Sequence, residues 1–326
     1  MREMSAPRIL LTRRWPTQVE RHLAERYEVT VNDGDIPLSA AELAEGLRTY
    51  DIVCPTVTDR ITAEVLEAGK GRCQMLANLG VGVSHIDIDA CRRLNIVVTN
   101  TPGVLTESTA DIAILLMLMV ARRAGEGERQ VRAGAWPGWA PTSLLGSDVT
   151  AKTLGVIGFG RIGQATARKA HRGFGMQILY HSPHQAPAEA EGLLSARYCA
   201  SVDDLLRQAD FVSLHCPGGA ATRHLLDLRR IALMKPGAFL INTARGEIID
   251  EEALIEALRD QRIGGAGLDV YEQEPRVPAG LMALENVVLL PHLGSASVET
   301  RVAMGMRVVE NLECFLADLA TPDRVP

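Results

Sequence analysis

A glycine-rich turn set between a strand and a helix restricts this chain more than any other feature. Leu154-Gly155-Val156-Ile157 is a short apolar run that leads straight into Gly158-Phe159-Gly160-Arg161-Ile162-Gly163. Helical spacing follows, in Ile162, Ala165, Thr166, Lys169 and Ala170. Each glycine has a physical reason. Gly158 permits the tight strand-to-helix turn, Gly160 lets backbone approach a pyrophosphate, and Gly163 lets the helix pack close on the strand. The helix N-terminus, with its unpaired N–H groups and positive dipole end, then faces the phosphates. Glycines at this spacing mean little alone, but between a strand and a helix they point to dinucleotide binding.

The rest of the chain reads as a frame for that turn. Its 326 residues suffice for two domains with separate cores. Strands are expected at 8–11, 27–31, 52–54, 75–79 and 96–99, and helices at 17–26, 39–49, 62–69 and 86–94. Such alternation predicts a parallel sheet covered on both faces, complete before the glycine turn begins. Thr101-Pro102-Gly103 breaks the chain, and a long apolar helix is expected over 107–125, buried all round within one subunit or partly in a subunit interface. The irregular stretch Gly134-Ala135-Trp136-Pro137-Gly138-Trp139-Ala140-Pro141 carries two tryptophans that either plug the core or project onto another surface. A second α/β series follows, with strands at 177–180, 211–214, 238–242, 265–270 and 287–290 and a helix at 251–259. Ser201 is expected to cap a helix, with Asp204 three residues on. The last helix, expected after Ser297 to about residue 319, is separated from this series and returns to the first domain.

Composition excludes several classes of function. A net charge of −6 without a lysine or arginine run argues against nucleic acid or an anionic membrane as partner. The six cysteines lack metal-like spacing and read as reduced thiols of a cytoplasmic protein. The apolar stretch 112–121 is too short to span a bilayer, and the run at 9–11 too short for the core of an export signal.

Three strand ends of the second series present ionisable groups: Arg245 in Asn242-Thr243-Ala244-Arg245-Gly246, Asp269 and Glu274 in 269–275, and His292 in Leu290-Pro291-His292-Leu293-Gly294-Ser295. Chemistry at a 2-oxo or 2-hydroxy acid needs a cation for the carboxylate and carbonyl, a proton donor or acceptor, and a hydride carrier. The fork of Arg245 suits the first role. His292 suits the second, since an imidazole exchanges protons near neutral pH, and Glu274 would hold its ring. A nicotinamide supplies the third. Taken singly, Arg245 could be a surface ion pair, Glu274 a turn residue and His292 a helix cap. Their shared position downstream of one dinucleotide turn favours the functional reading.

Residues 158–163, 242–246, 267–275 and 291–297, with Asn78-Leu79-Gly80-Val81-Gly82 and 98–111, closely resemble the D-isomer-specific 2-hydroxyacid dehydrogenase family. Within it, 98–107 and 138–141 are most similar to glyoxylate/hydroxypyruvate reductases. The resemblance implies two parallel-sheet α/β domains, Rossmann-like and flavodoxin-like, usually in a homodimer. The dinucleotide-binding domain, 101–292, would be inserted in a substrate domain made of 1–100 and 293–326. It carries the catalytic roles onto Arg245, Glu274 and His292, and gives the substrate carboxylate to backbone N–H groups near Val81 and Gly82. It also makes Trp139 a candidate wall of the neighbouring subunit's pocket. Cofactor contacts are implied at Arg161 and Ile162 on the phosphate loop; at His215, Cys216, Pro217 and Thr222 near the ribose; and at Thr243, Ala244, Asp269 and Gly294 flanking the nicotinamide. Asp269 could instead tune proton transfer from behind, and Thr109 either touches nicotinamide or caps its own helix.

An NAD-preferring site normally ends its second strand with an acid for the ribose 2′-hydroxyl. Here that position reads Tyr180-His181-Ser182-Pro183-His184, with no acid before Glu189 and no arginine for a 2′-phosphate. His181, Ser182 and His184 could hydrogen-bond a phosphate, so NADP(H) is favoured with NAD(H) also used; otherwise the loop is exposed and uncommitted. The expected activity is reduction of small 2-oxo acids such as glyoxylate and hydroxypyruvate. Two alternatives remain: a dehydrogenase for another D-2-hydroxy acid, and a dimeric module of the same fold that senses nucleotide without turnover.

Overall fold

The computed structural model describes residues 6–326. The chain divides into two compact units, Met1–Leu105 with Ala296–Pro326, and Thr106–Ser295. In the first, parallel strands β1 (Arg8–Leu11), β2 (Glu28–Val31), β3 (Ile52–Cys54), β4 (Met75–Ala77) and β5 (Val97–Thr99) lie in the order β2-β1-β3-β4-β5. Central β3 and β4 are buried at every position, while the edge strand β2 alternates exposed and half-buried residues. Ser39 and Glu42 form a capping box on helix Ala40–Thr49, and Thr62 and Asp87 cap the next two helices. Helix Val298–Leu316, capped by Ser297, packs on helix Thr17–Ala24 of the same unit.

The second unit holds seven parallel strands: β6 (Thr153–Ile157), β7 (Gln177–His181), β8 (Arg197–Tyr198), β9 (Phe211–Leu214), β10 (Phe239–Asn242), β11 (Gly265–Leu268) and β12 (Val287–Leu289). Their order is β12-β11-β10-β9-β6-β7-β8. Strand β6 sits between β7 and β9, so successive connections leave it in opposite directions. The glycine turn follows β6 at this reversal, where open α/β sheets bind ligands.

Several elements differ from expectation. The helix expected over 107–125 stops at Ala121, Arg123 turns left-handed at φ 51°, and a separate helix covers Ala124–Arg132. Ser147 N–H, arriving from a later loop, caps the Ala121 carbonyl at 2.8 Å and ends the first helix there. Nor is that helix buried all round: Leu115 is exposed, and Glu107 and Asp111 face outward to Lys169. Strand β4 ends at Ala77 because Leu79 N–H turns to the Pro55 carbonyl at 2.9 Å. Strand β8 and helix Ala188–Leu194 were too short to leave a period in the sequence. Ser201 does cap its helix, accepting from Asp204 N–H at 3.1 Å. No helix among the described residues is long and apolar enough to cross a membrane.

Candidate active site

The β10 strand end is shaped by Asn242, whose side chain is wholly buried. Its amide donates to Arg245 O at 2.8 Å and its oxygen accepts from Ala244 N at 3.0 Å, so one residue closes the loop that carries Arg245. Arg245 is half-buried and makes no ion pair among the described residues; its Nη1 donates only to Ala244 O, at 2.6 Å. Burial lowers its pKa from the ordinary arginine value, against the charges of Glu274 and Glu247. A guanidinium left without a carboxylate in such surroundings is a seat for an anion.

From the β11 and β12 ends come Glu274 and His292, joined by a 2.8 Å hydrogen bond from Nδ1 of the ring to Oε2. Glu274 Oε1 accepts from Tyr271 N–H at 3.0 Å. Burial pushes the Glu274 carboxyl up, but the hydrogen bond and charge of His292, helped by the Tyr271 N–H and Arg245, hold it below the usual glutamate value. Both side chains remain accessible, at 32% and 33%. His292 itself sits at φ 57°, a left-handed backbone uncommon outside glycine. Its N–H donates to Asp269 O at 2.9 Å, and the Asp269 carboxylate accepts from Leu293 N (2.6 Å) and Gly294 N (2.8 Å). Asp269 is completely buried, and burial raises its carboxyl above the ordinary aspartate value. It therefore grips the backbone behind the histidine. Gly294 lies against Thr109 as well; a Cβ there would stand 3.4 Å from both Thr109 Cγ2 and Asp269 Oδ2.

The glycine turn is built to admit a phosphate group. Gly158 has φ 94°, and a Cβ on it would lie 2.4 Å from Cys216 N; a Cβ on Gly163 would lie 2.2 Å from Gly158 O. Gly160, by contrast, faces open space at the N-cap of helix Arg161–Phe174, whose first turn has neither a side-chain cap nor an acid. The half-buried Ile162 follows the exposed Arg161 in that turn. Phe159 is clipped at both main-chain groups: its N–H donates to Ser182 Oγ at 2.7 Å, and its carbonyl accepts from the Gln164 amide at 2.9 Å. His181 Nδ1 meets Cys199 O at 2.9 Å, which puts the proton on Nδ1 and leaves Nε2 as the other ring nitrogen. Across the turn, burial lowers His215 to about 4 and raises the Cys216 thiol to about 11, so both are uncharged at neutral pH. Thr222 Oγ1 folds back onto Pro217 O at 2.6 Å. Thr243, beside Ala244, keeps a buried hydroxyl without a partner. An open cradle over a bare helix N-terminus, with an orphaned hydroxyl just past β10, fits a nicotinamide dinucleotide.

In the first unit, the carbonyls of Gly80, Val81 and Gly82 are all held by side-chain amides: Asn78 takes Gly80 O (3.0 Å) and Gly82 O (3.1 Å), and Asn100 takes Val81 O (2.8 Å). The N–H groups of Val81 and Gly82 have no hydrogen-bond partner among the described residues. His85 Nε2 lies 3.0 Å from Asn78 Oδ1, bracing the same loop. Trp139 is 84% and Trp136 57% exposed, so neither plugs the core of its own chain.

The sequence pattern of the D-isomer specific 2-hydroxyacid dehydrogenase family, NAD binding domain, matches residues 114–294. The chain belongs to this family. Over 313 residues it is 44% identical to a glyoxylate reductase of Thermococcus onnurineus (strain NA1), covering 95% of this chain and 92% of that protein. It is also similar to the crystal structure of a glyoxylate reductase from Paecilomyes thermophila (TM-score 0.87, 32% identity, 99% of each chain). A further similar structure is an NADPH-dependent glyoxylate/hydroxypyruvate reductase from Sinorhizobium meliloti in complex with NADP and malonate (TM-score 0.87, 34% identity, 98% of this chain and 97% of that one). The protein is an NAD(P)-dependent 2-hydroxyacid dehydrogenase of the glyoxylate reductase branch.

Several residues that shape these loops within each unit escaped sequence reasoning. Asn78, Asn100 and Asn242 act through their side-chain amides on loop carbonyls, and Tyr271 gives its N–H to Glu274 and its hydroxyl to Leu290 O at 2.9 Å. Asparagines at strand ends carry a general turn signal but no indication of which carbonyl they will meet.

Proposed function

We propose that the dehydrogenase reduces small 2-oxo acids of the glyoxylate and hydroxypyruvate type, with Arg245, Glu274 and His292 as its catalytic residues. The observation that carries this reading is the half-buried Arg245 without an ion pair on the same unit as the Glu274–His292 pair. Arg245 anchors the substrate carboxylate and polarises the carbonyl. The N–H groups of Val81 and Gly82 serve as further carboxylate donors. The bound nicotinamide supplies the hydride to the 2-carbon. With Nδ1 committed to Glu274, Nε2 of His292 gives its proton to the substrate oxygen, and Glu274 balances the imidazolium before transfer. Asp269 keeps the ring in place through the backbone, and Thr109, Thr243, Ala244 and Gly294 line the nicotinamide.

NADP(H) is the favoured cofactor, with NAD(H) also accepted. Gly158, Gly160, Gly163, Arg161 and Ile162 cradle the pyrophosphate, and His215, Cys216, Pro217 and Thr222 border the ribose. Ser182 already accepts from Phe159 N–H, so its hydroxyl proton is free to go to a 2′-phosphate. A neutral His181 would accept from a ribose hydroxyl, whereas a protonated one would donate to phosphate, which supports dual use. The NADP-bound Sinorhizobium meliloti structure supports the same preference. The exposed Trp139 supports a homodimer in which it walls the partner's pocket, and the dispersed free thiols a cytoplasmic location.

The test is to follow NADPH and NADH oxidation with glyoxylate, hydroxypyruvate and pyruvate, alongside Arg245→Lys. Turnover with a KM raised in the variant is expected. Dinucleotide binding with no turnover on any of these acids would instead favour a nucleotide-sensing module.

A further inference from the structure

Building on Arg245 as the carboxylate anchor, we propose that Glu247 is a positioning residue. It fastens the dinucleotide-side strap, residues 216–224, onto the Arg245 loop, so that cofactor and 2-oxo acid are gripped by one connected piece of chain. Glu247 lies in the 3₁₀ turn Gly246–Ile248, directly after Arg245. Its Oε1 accepts from Gly219 N–H at 2.7 Å, and its carbonyl accepts from His224 N–H at 2.8 Å, so one residue holds the strap at two points. Gly218 is pressed onto the same place: a Cβ there would stand 2.4 Å from Glu247 Oε1 and 3.0 Å from Arg245 Cγ. Farther along, Arg223 and His224 meet Glu272 at 2.5 and 3.2 Å. A glutamate without a structural task at a loop would extend into water and leave Gly219 N–H to solvent. Here its carboxylate is spent on backbone, and its charge lies close enough to act on Arg245.

Glu247→Gln keeps an oxygen that can accept from Gly219, and Glu247→Ala removes it. The readouts are amide hydrogen exchange at Gly219 and His224, NADPH affinity by fluorescence titration, and KM and kcat with glyoxylate. Loss of a hydrogen bond to a charged group predicts that Glu247→Ala speeds exchange at Gly219 and weakens NADPH and glyoxylate by about tenfold or more each. KM should rise more than kcat falls, and Glu247→Gln should restore most of both. Gly218→Ala should weaken both ligands alone yet add little on top of Glu247→Ala, because the oxygen it collides with is gone. Parent-like exchange and affinities in Glu247→Ala overturn the proposal, as does failure of Gln to restore them or strict additivity with Gly218→Ala. An unchanged glyoxylate KM in Arg245→Lys would strike at the underlying reading of Arg245. A weakened Arg245→Lys beside an unaffected Glu247→Ala refutes the strap alone.

Discussion

The loop bearing His292 and the loop that follows β7 lie in the same unit, and they are held in different ways. Behind His292 a completely buried aspartate takes two backbone N–H groups and fixes a left-handed main chain. At the end of β7 and just beyond it the contacts run through exchangeable side chains: Ser182 to Phe159, His181 to Cys199, and the Tyr180 hydroxyl, which accepts from Ala186 N–H at 2.9 Å. Tyr180 also stacks on Phe159 with ring centroids 4.0 Å apart, and burial pushes its hydroxyl up to about 12. Backbone-fixed geometry suits a group that must meet one reacting atom. A side-chain network can be rewritten residue by residue, which suits cofactor selection. On the proposed reading, the frame fixes the chemistry at one loop, while selectivity at the other is open to single substitutions.

The comparison is broken most severely at the glycine turn, which the second loop clips through Ser182. Gly163→Ala would drive a Cβ against Gly158 O, a backbone atom that cannot step aside. A loss of about 3 kcal/mol, roughly a hundredfold or more in dinucleotide Kd, is expected by calorimetric titration. Next, Asp269→Asn replaces one acceptor with a donor facing a backbone N–H, and kcat should drop by roughly ten- to a hundredfold while dinucleotide Kd changes much less. Its pH profile sharpens the point. Burial holds the Asp269 carboxyl above the ordinary aspartate value, so on acidification it takes its proton at a higher pH than a free aspartate does. The acid limb of kcat/KM should therefore begin above the ordinary aspartate pKa in the parent, and vanish from that position in Asp269→Asn.

At the second loop the expected effects are smaller and concern choice of cofactor. Ser182→Asp can still accept from Phe159 N–H but repels a 2′-phosphate, so the NADPH-to-NADH preference should fall by about tenfold or more at unchanged kcat with NADH. Smallest of all, Trp139→Ala should move the stability of the chain by no more than about 0.5 kcal/mol, since the residue is 84% exposed.

Much of this was legible in the sequence because backbone constraints leave residue types behind. Gly158 and Gly163 are glycines since no Cβ fits, and the strands 8–11, 52–54 and 211–214 could be placed to the residue by their apolar runs. Arg245, Glu274 and His292 stood out as ionisable groups after buried strands. The break at Arg123 did not, because it depends on Ser147 capping a carbonyl from a distant loop. Nor did the grip of Asp269 on Leu293 and Gly294, since an acid that faces backbone reads the same as one that faces solvent until the turn is folded around it. The exposure of Trp139 was equally hidden, as an aromatic in an irregular stretch fits a core or a surface alike.

The most direct measurement is single-turnover oxidation of NADPH by glyoxylate in His292→Asn, alongside its dinucleotide Kd. If His292 delivers the proton from a ring held by Glu274, the rate should fall by roughly a hundred- to ten-thousandfold with dinucleotide binding close to that of the parent. A rate within twofold of the parent would contradict the assignment.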